Sequence, residues 1–181
     1  MSISFSNSKR ELAGQPRTTF LGTLEAIFIG PTKAAPMQQV ESAQAVAGKG
    51  LLGDRYSAAA GTFSDRPGTA EDAAAIDPET QITLIEAEAM EAAARDCEIS
   101  ISPAESRRNL LLRGVPLNHL VGQEFFVGPV RLRGLKLCEP CGHLEKLTVK
   151  GIKQALLHRG GLRAEILTSG PLRPGDAVRP I

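Results

Sequence analysis

The sequence predicts a mainly β protein, a barrel with a few covering α-helices. Short runs rich in β-branched and apolar residues recur along the chain, most of them separated by turns that contain Gly or Pro. Only two stretches carry good helix formers with no internal Gly or Pro. A length of 181 residues suits one domain, and 42% hydrophobic and 23% charged residues match a soluble globular composition.

In chain order, residues 1–17 hold Lys9, Arg10 and Arg17 but no apolar core of a signal peptide, and are expected to be a flexible tail ahead of one domain, 18–181. Residues 19–30 (TFLGTLEAIFIG) read as a strand closing on Gly-Pro. Further strands are expected at 39–46, 81–85, 108–112, 124–127, 130–137 and 163–168. Helices are expected at 86–96 and 152–157. Residues 57–80 are small, polar and turn-forming, which suits either a mobile lid or an ordinary insertion. The final GPLRPGDAV reads as a turn at Gly175-Asp176 leading into a closing strand.

Composition limits the function. Six Phe, one Tyr and no Trp provide little for base stacking, and a net charge of +1 gives no global attraction to nucleic acid or a membrane surface. No run approaches the roughly 20 apolar residues of a spanning helix. Charge is uneven, however. From Asp65 to Glu98 ten acids face Arg66 and Arg95, whereas from Arg107 to Arg163 eleven basic residues face Glu124, Glu139 and Glu145. The second region suits an anionic ligand. Three cysteines are too few for a disulfide scaffold and fit a reducing, cytoplasmic setting.

Chemistry concentrates in Leu137-Cys-Glu-Pro-Cys-Gly-His143, where Cys138 and Cys141 follow an apolar strand on a proline-stiffened turn. Arg131, Arg133 and Lys136 lie nearby in sequence. The pair fits a redox dithiol, a structural zinc site completed by His143 and His158, a single thiolate ligating a metal cofactor, or two inert buried cysteines. The thioredoxin-like βαβ setting of a redox pair is missing, and no second Cys-x-x-Cys completes a zinc site. Elsewhere, Gly48-Lys-Gly-Leu-Leu-Gly-Asp-Arg-Tyr56 suits a sharp turn close to another group but lacks the order of a phosphate loop. Arg107-Arg108-Asn109 opens a strand, and His158-Arg-Gly-Gly-Leu-Arg163 combines flexible glycines with planar cations suited to phosphate. No nucleophile elbow and no metal-spaced histidine pair is present.

Taken in order, GKGLLGDRY, QITLIEAEAME, SRRNLLLRGVPLNHLVGQEFFVG, LCEPCGHLEKL and HRGGLRAEILTSGPLRPGDAV resemble a stand-alone MOSC domain, the molybdenum cofactor sulfurase C-terminal domain type, over roughly residues 19–181. The resemblance implies a MOSC-type β barrel and an association with molybdenum cofactor (Mo-molybdopterin), either bound as a prosthetic group or served by sulfur transfer. It implies Cys141 as the molybdenum ligand and catalytic residue, with Cys138 as the alternative. It implies further that Asp54, Arg55, Tyr56, Arg107, Asn109, Arg159, Gly160, Gly161 and Arg163 hold the anionic pterin. Relatives that reduce N-hydroxylated compounds carry a Lys-Ser pair near the first barrel turn; the nearest match here is Lys33-Ala34, so Lys33 joins the set without the neighbouring hydroxyl. The expected partners are a separate electron-donor protein for a reductase, or a sulfur donor for a persulfide carrier, with no nucleic acid and no membrane.

Overall fold

Residue pairs that alternate inward and outward set the architecture of the computed structural model, which describes residues 19–57 and 76–181. The expected tail and most of the 57–80 stretch, lid or insertion, lie outside the described residues. The strands are β1 Gly22–Ile29, β2 Gln38–Val40, β3 Ala43–Val46, β4 Gly50–Leu51, β5 Ile82–Glu86, β6 Leu110–Arg113, β7 Glu124–Val127, β8 Val130–Leu137, β9 Leu162–Ile166, β10 Gly170–Leu172 and β11 Ala177–Pro180. The helices are α1 Ala87–Cys97, α2 Gly142–Leu147 and α3 Ile152–Ala155.

Seven strands close a barrel in the order β11-β7-β8-β9-β5-β6-β1, because β11 pairs with both β7 and β1. Closure removes the unpaired edges of a sheet. β5 and β6 are parallel, and such neighbours need a crossover, which α1 provides. β2 extends from β1, while β10, β3 and β4 form a separate small sheet.

Two cores follow from the patterning. Leu24, Ile27, Leu84, Leu110, Leu112, Phe125 and Leu132 fill the barrel. Ala26, Phe28, Ile85 and Leu111 project outward from β1, β5 and β6 and meet Leu144, Ile152, Ala155 and Leu156 beneath the helices. These strands are therefore apolar on both faces, which is why they read as continuous hydrophobic runs. On the solvent side of β7, β8 and β9, Glu124 lies opposite Arg133, and Arg133 opposite Glu165. Their ion pairs are half exposed, so they contribute little stability individually.

The expected strand at 39–46 is two strands. An exposed bend at Glu41-Ser42 sends β2 to the barrel and β3 to the small sheet. α2 was not expected, because its glycine start and six-residue length carry too little periodicity. No helix among the described residues is long and apolar enough to cross a membrane.

Candidate cofactor site

Strand register brings distant segments to one end of the barrel. Leu110 of β6 lies opposite Ile27 of β1 and Leu84 of β5, and Leu84 in turn lies opposite Leu162 of β9, which faces Leu137 of β8. The loops at this end enclose a cleft with about 730 Å³ of empty space, part of it open to solvent. Arg55 and Tyr56 line it from the loop after β4, Thr80 and Thr83 from β5 and the turn before it, and Arg107, Arg108 and Asn109 from the approach to β6. Cys138, Glu139, Cys141, His143 and Leu144 come from the turn after β8 and from α2, and Arg163 from β9.

Asp54 and Asn109 build the first wall. Asp54 Oδ2 accepts from the Gly30 amide at 2.9 Å and from Asn109 Nδ2 at 3.2 Å, and its Oδ1 accepts from the Tyr56 amide. Asn109 Oδ1 accepts from the Thr83 amide and hydroxyl, and its Nδ2 also donates to the Phe28 carbonyl. These two side chains thus knit β1, β5 and the loop after β4 together, and each acts as a positioning residue.

Arg55 is held by that frame. Its Nη1 donates to the Gly30 carbonyl at 3.3 Å, its guanidinium lies 4.7 Å from the Tyr56 ring centroid, and it is 6% exposed. Among the described residues its buried Nε has no hydrogen-bond partner. A buried donor left unpaired is costly, so an acceptor from a ligand would be favoured there. Arg107 stands nearby in a left-handed backbone conformation, φ 61°, which costs a non-glycine residue roughly 1–2 kcal/mol. The surrounding contacts, among them Nη1 to the Ala35 carbonyl at 2.8 Å, hold it in place. Burial, and next the repulsion of Arg55, hold the Arg107 guanidinium below its usual range. Asp54 Oδ2, 3.9 Å from Arg55 Nη1, offsets part of this charge, and an anion in the cleft would offset more.

Arg108 does something different. Its Nε donates to the Gly160 carbonyl, Nη1 to the Ser106 carbonyl and Nη2 to the Cys138 carbonyl, at 2.8, 3.0 and 2.8 Å. It fastens the cysteine turn to the segment before β9. The glycines there allow the close approach: a Cβ at Gly160 would fall 2.6 Å from the Cys138 carbonyl oxygen, and one at Gly161 1.9 Å from that of Leu84. Gly160 and Gly161 therefore shape the wall and do not line the cleft. Cys138 is 3% exposed and its amide donates to the Gly161 carbonyl, whereas Cys141 is exposed at the start of α2.

Beyond these wall residues, Arg159 and Lys33 lie away from the cleft. Arg159 turns the other way, donating to the Ala155 carbonyl at 2.7 Å and pairing with Asp96 at 3.2 Å. Lys33 is exposed outside the lining. Nor do the cations that neighbour the cysteines in sequence face them: Arg131 and Arg133 pair with Glu124, and Lys136 pairs with Glu79. Arg163 does reach the cleft, with Nη1 on the Glu79 carbonyl. Gly30, Thr80, Thr83, Arg108, Glu139 and His143 were not picked out from sequence as cofactor-binding residues; the polar Thr83 within the apolar run ITLIE was the available signal.

Among the described residues, no three His, Cys, Asp or Glu side chains come together as a cage for a metal ion. A metal held at Cys141 would need its other ligands from an organic group. The exposed Cys141 thiol and the Arg55 and Arg107 guanidiniums line the same cleft and fit a cofactor with a soft-metal end and an anionic organic end.

A family model for the MOSC domain matches residues 71–179, well over half of the chain. The chain belongs to the MOSC domain family. This family is associated with molybdenum cofactor. The match includes Arg107, Asn109 and the cysteine turn, while Asp54, Arg55 and Tyr56 precede it. No curated relative matches by sequence. Among solved structures, the YuaD protein from Bacillus subtilis superposes with a TM-score of 0.73 at 17% identity, covering 90% of this chain and 96% of that one. YiiM from Geobacillus stearothermophilus gives 0.64 at 13% identity, covering 88% and 75%, and YiiM from Escherichia coli gives 0.60 at 16%, covering 91% and 70%. At these identities the likeness establishes the shared fold of this MOSC domain.

Gly30 offers a specific test of the Arg55 placement. A Cβ there would fall 2.1 Å from Arg55 Nη1 and 2.7 Å from Met37 Sδ. If Arg55 and Arg107 take an anion, Gly30→Ala is expected to displace the Arg55 guanidinium and to weaken binding of pyrophosphate, used as an anion probe, about tenfold, the loss of one charge-assisted contact. Titration calorimetry measures this, and an unchanged affinity would remove Arg55 from the anion site.

Proposed function

We propose that this MOSC domain binds molybdenum cofactor, with Cys141 ligating the metal and Arg55 and Arg107 holding the anionic pterin, and that it reduces N-hydroxylated compounds. The observation that carries this reading is a single cleft that joins an exposed thiol to two crowded guanidiniums, one of which has a buried Nε with no partner among the described residues. Arg163 adds a further cation, and Asp54 and Asn109 keep Arg55 and Tyr56 in position. When bound, the cofactor would supply the two-electron chemistry of the reduction. Reduction replaces N–OH by N–H and releases water, taking an electron pair from a separate electron-donor protein and two protons from solvent. Leu144 and the Tyr56 ring contribute apolar walls that limit water in the cleft. A cytoplasmic setting keeps the Cys141 thiol reduced.

The test is elemental and pterin analysis of protein purified from cofactor-sufficient cells. Stoichiometric molybdenum and pterin are expected, and metal-free protein overturns the reading. The exposure of Cys141 also suits a second role, a sulfur carrier whose thiolate takes a sulfur atom from a persulfide donor. A reductant-sensitive mass gain of about 32 Da on Cys141 in metal-free protein would select it.

A further inference from the structure

A second depression adjoins the cofactor cleft. Ala34, Pro36 and Met37 from the loop after β1 form one side, Ala104 and Glu105 another, and Leu147 and Thr148 at the end of α2 the floor. It encloses about 640 Å³ of empty space, part of it open to solvent. Two features connect it to the cleft. Arg107 lines both. α2 also runs from Cys141, its N-cap, to Leu147, and six residues of helix span about 9 Å. A molecule reaching past Arg107 from the cleft would thus have one end near Cys141 and the other over Leu147 and Thr148.

The lining specifies the chemistry of that other end. Ala34, Pro36, Met37, Ala104 and Leu147 are apolar, and Leu147 is 38% exposed, so its side chain is open to a ligand. The carboxylate of Glu105 is the acidic group of the lining. The Ser102 amide and hydroxyl both donate to its Oε2, at 2.7 and 2.8 Å, which fixes the side chain and holds it below the usual carboxylate range. Arg107 is at the boundary with the cleft, so the groove is negative away from the cofactor and positive toward it. An amphipathic cation placed here would set its charged terminus at Glu105 and its apolar body over Leu147 and Met37.

We propose that this groove is the substrate subsite and that it takes the non-reacting part of a small organic cation with an apolar body. The proposal rests on the reading of the cleft as the cofactor site, because the shared boundary at Arg107 is what makes the groove a substrate site. Charge and apolar area then act together to select substrate: a neutral or anionic analogue of equal length loses the Glu105 contact and gains the opposing field.

The experiment uses the full chain without added cofactor and n-hexylammonium as the probe, followed by amide chemical-shift changes in two-dimensional NMR. Shifts are expected at the amides of Ala34, Ala35 and Met37, of residues 104–107 and of residues 147–148. Glu105→Gln, which keeps an acceptor for Ser102, is expected to weaken binding about fivefold, the size of an exposed ion pair. Leu147→Lys, a change at an exposed position, is expected to weaken it at least as much. Hexanoate is expected to leave those amides unmoved. Shifts confined to residues 138–143, an unaltered affinity in Glu105→Gln, or equal binding of hexanoate would each overturn the proposal. Because the measurement requires no molybdenum, metal-free protein would sink the cofactor reading while leaving the groove's binding intact, and loss of probe binding in molybdenum-loaded protein would do the reverse.

Discussion

Protein carrying Cys141→Ala, purified from cofactor-sufficient cells, is expected to contain neither molybdenum nor pterin, while Cys138→Ala retains most of both. The difference comes from burial and main-chain placement. Cys138 is 3% exposed, and its backbone is held at both ends, the amide on the Gly161 carbonyl and the carbonyl on Arg108 Nη2. Its thiol behaves as a small buried apolar group, and Ala replaces it with a modest cavity cost of about 1 kcal/mol. Cys141 presents its thiol to the cleft from an exposed position, where a thiolate can bind a soft metal. Losing that bond removes the metal anchor and leaves the pterin with its charged contacts alone. The measurement is metal and pterin content of both variants beside wild type. Molybdenum kept in Cys141→Ala and lost in Cys138→Ala would reverse the assignment.

Arg108→Met is expected to give the largest loss of stability among substitutions at this end of the barrel. Three hydrogen bonds from one buried cation disappear, and the carbonyls of Ser106, Cys138 and Gly160 lose that donor. Bonds to a charged group contribute about 1.5–3 kcal/mol each, and since they share one side chain the combined loss is at least about 3 kcal/mol. Urea unfolding reads this as a fall in midpoint. Arg108→Lys should recover only part of it, because a single ammonium cannot span three carbonyls 52 and 30 residues away in sequence and two residues away. The same variants test the positioning role: anion affinity at Arg55 and Arg107 should fall less than the reactivity of Cys141 toward a thiol reagent changes. A midpoint within about 0.5 kcal/mol of wild type in Arg108→Met would show that the clamp is dispensable.

Much of the barrel was legible locally. β7 and β8 begin and end where the alternating runs EFFV and VRLRGLKL do, because a half-buried strand repeats every two residues. α1 followed from an uninterrupted set of helix formers. The division of 39–46 between two sheets was not legible, since QQV and AQAV have equal strand character and only their partners, β1 and β10, distinguish them. α2 was missed for want of length, although it sets the direction from Cys141 to the groove.

In the site, thiol spacing was enough to single out the Cys138-to-Cys141 turn, whereas Arg55, Arg107 and Arg163 stood out from other surface cations only through the resemblance of their segments to a MOSC domain. Both are properties of short segments, as is the excess of basic residues between Arg107 and Arg163. Tertiary structure decided which members of that excess serve the cleft. Arg131, Arg133, Lys136 and Arg159 are drawn off by Glu124, Glu79 and Asp96, Arg108 by backbone carbonyls, and Arg55 arrives from outside the basic region. It also separated the two cysteines, burying one and exposing the other. Both outcomes depend on strand register and on contacts between residues far apart in sequence, where a planar cation finds whichever acceptor the fold brings within about 3 Å.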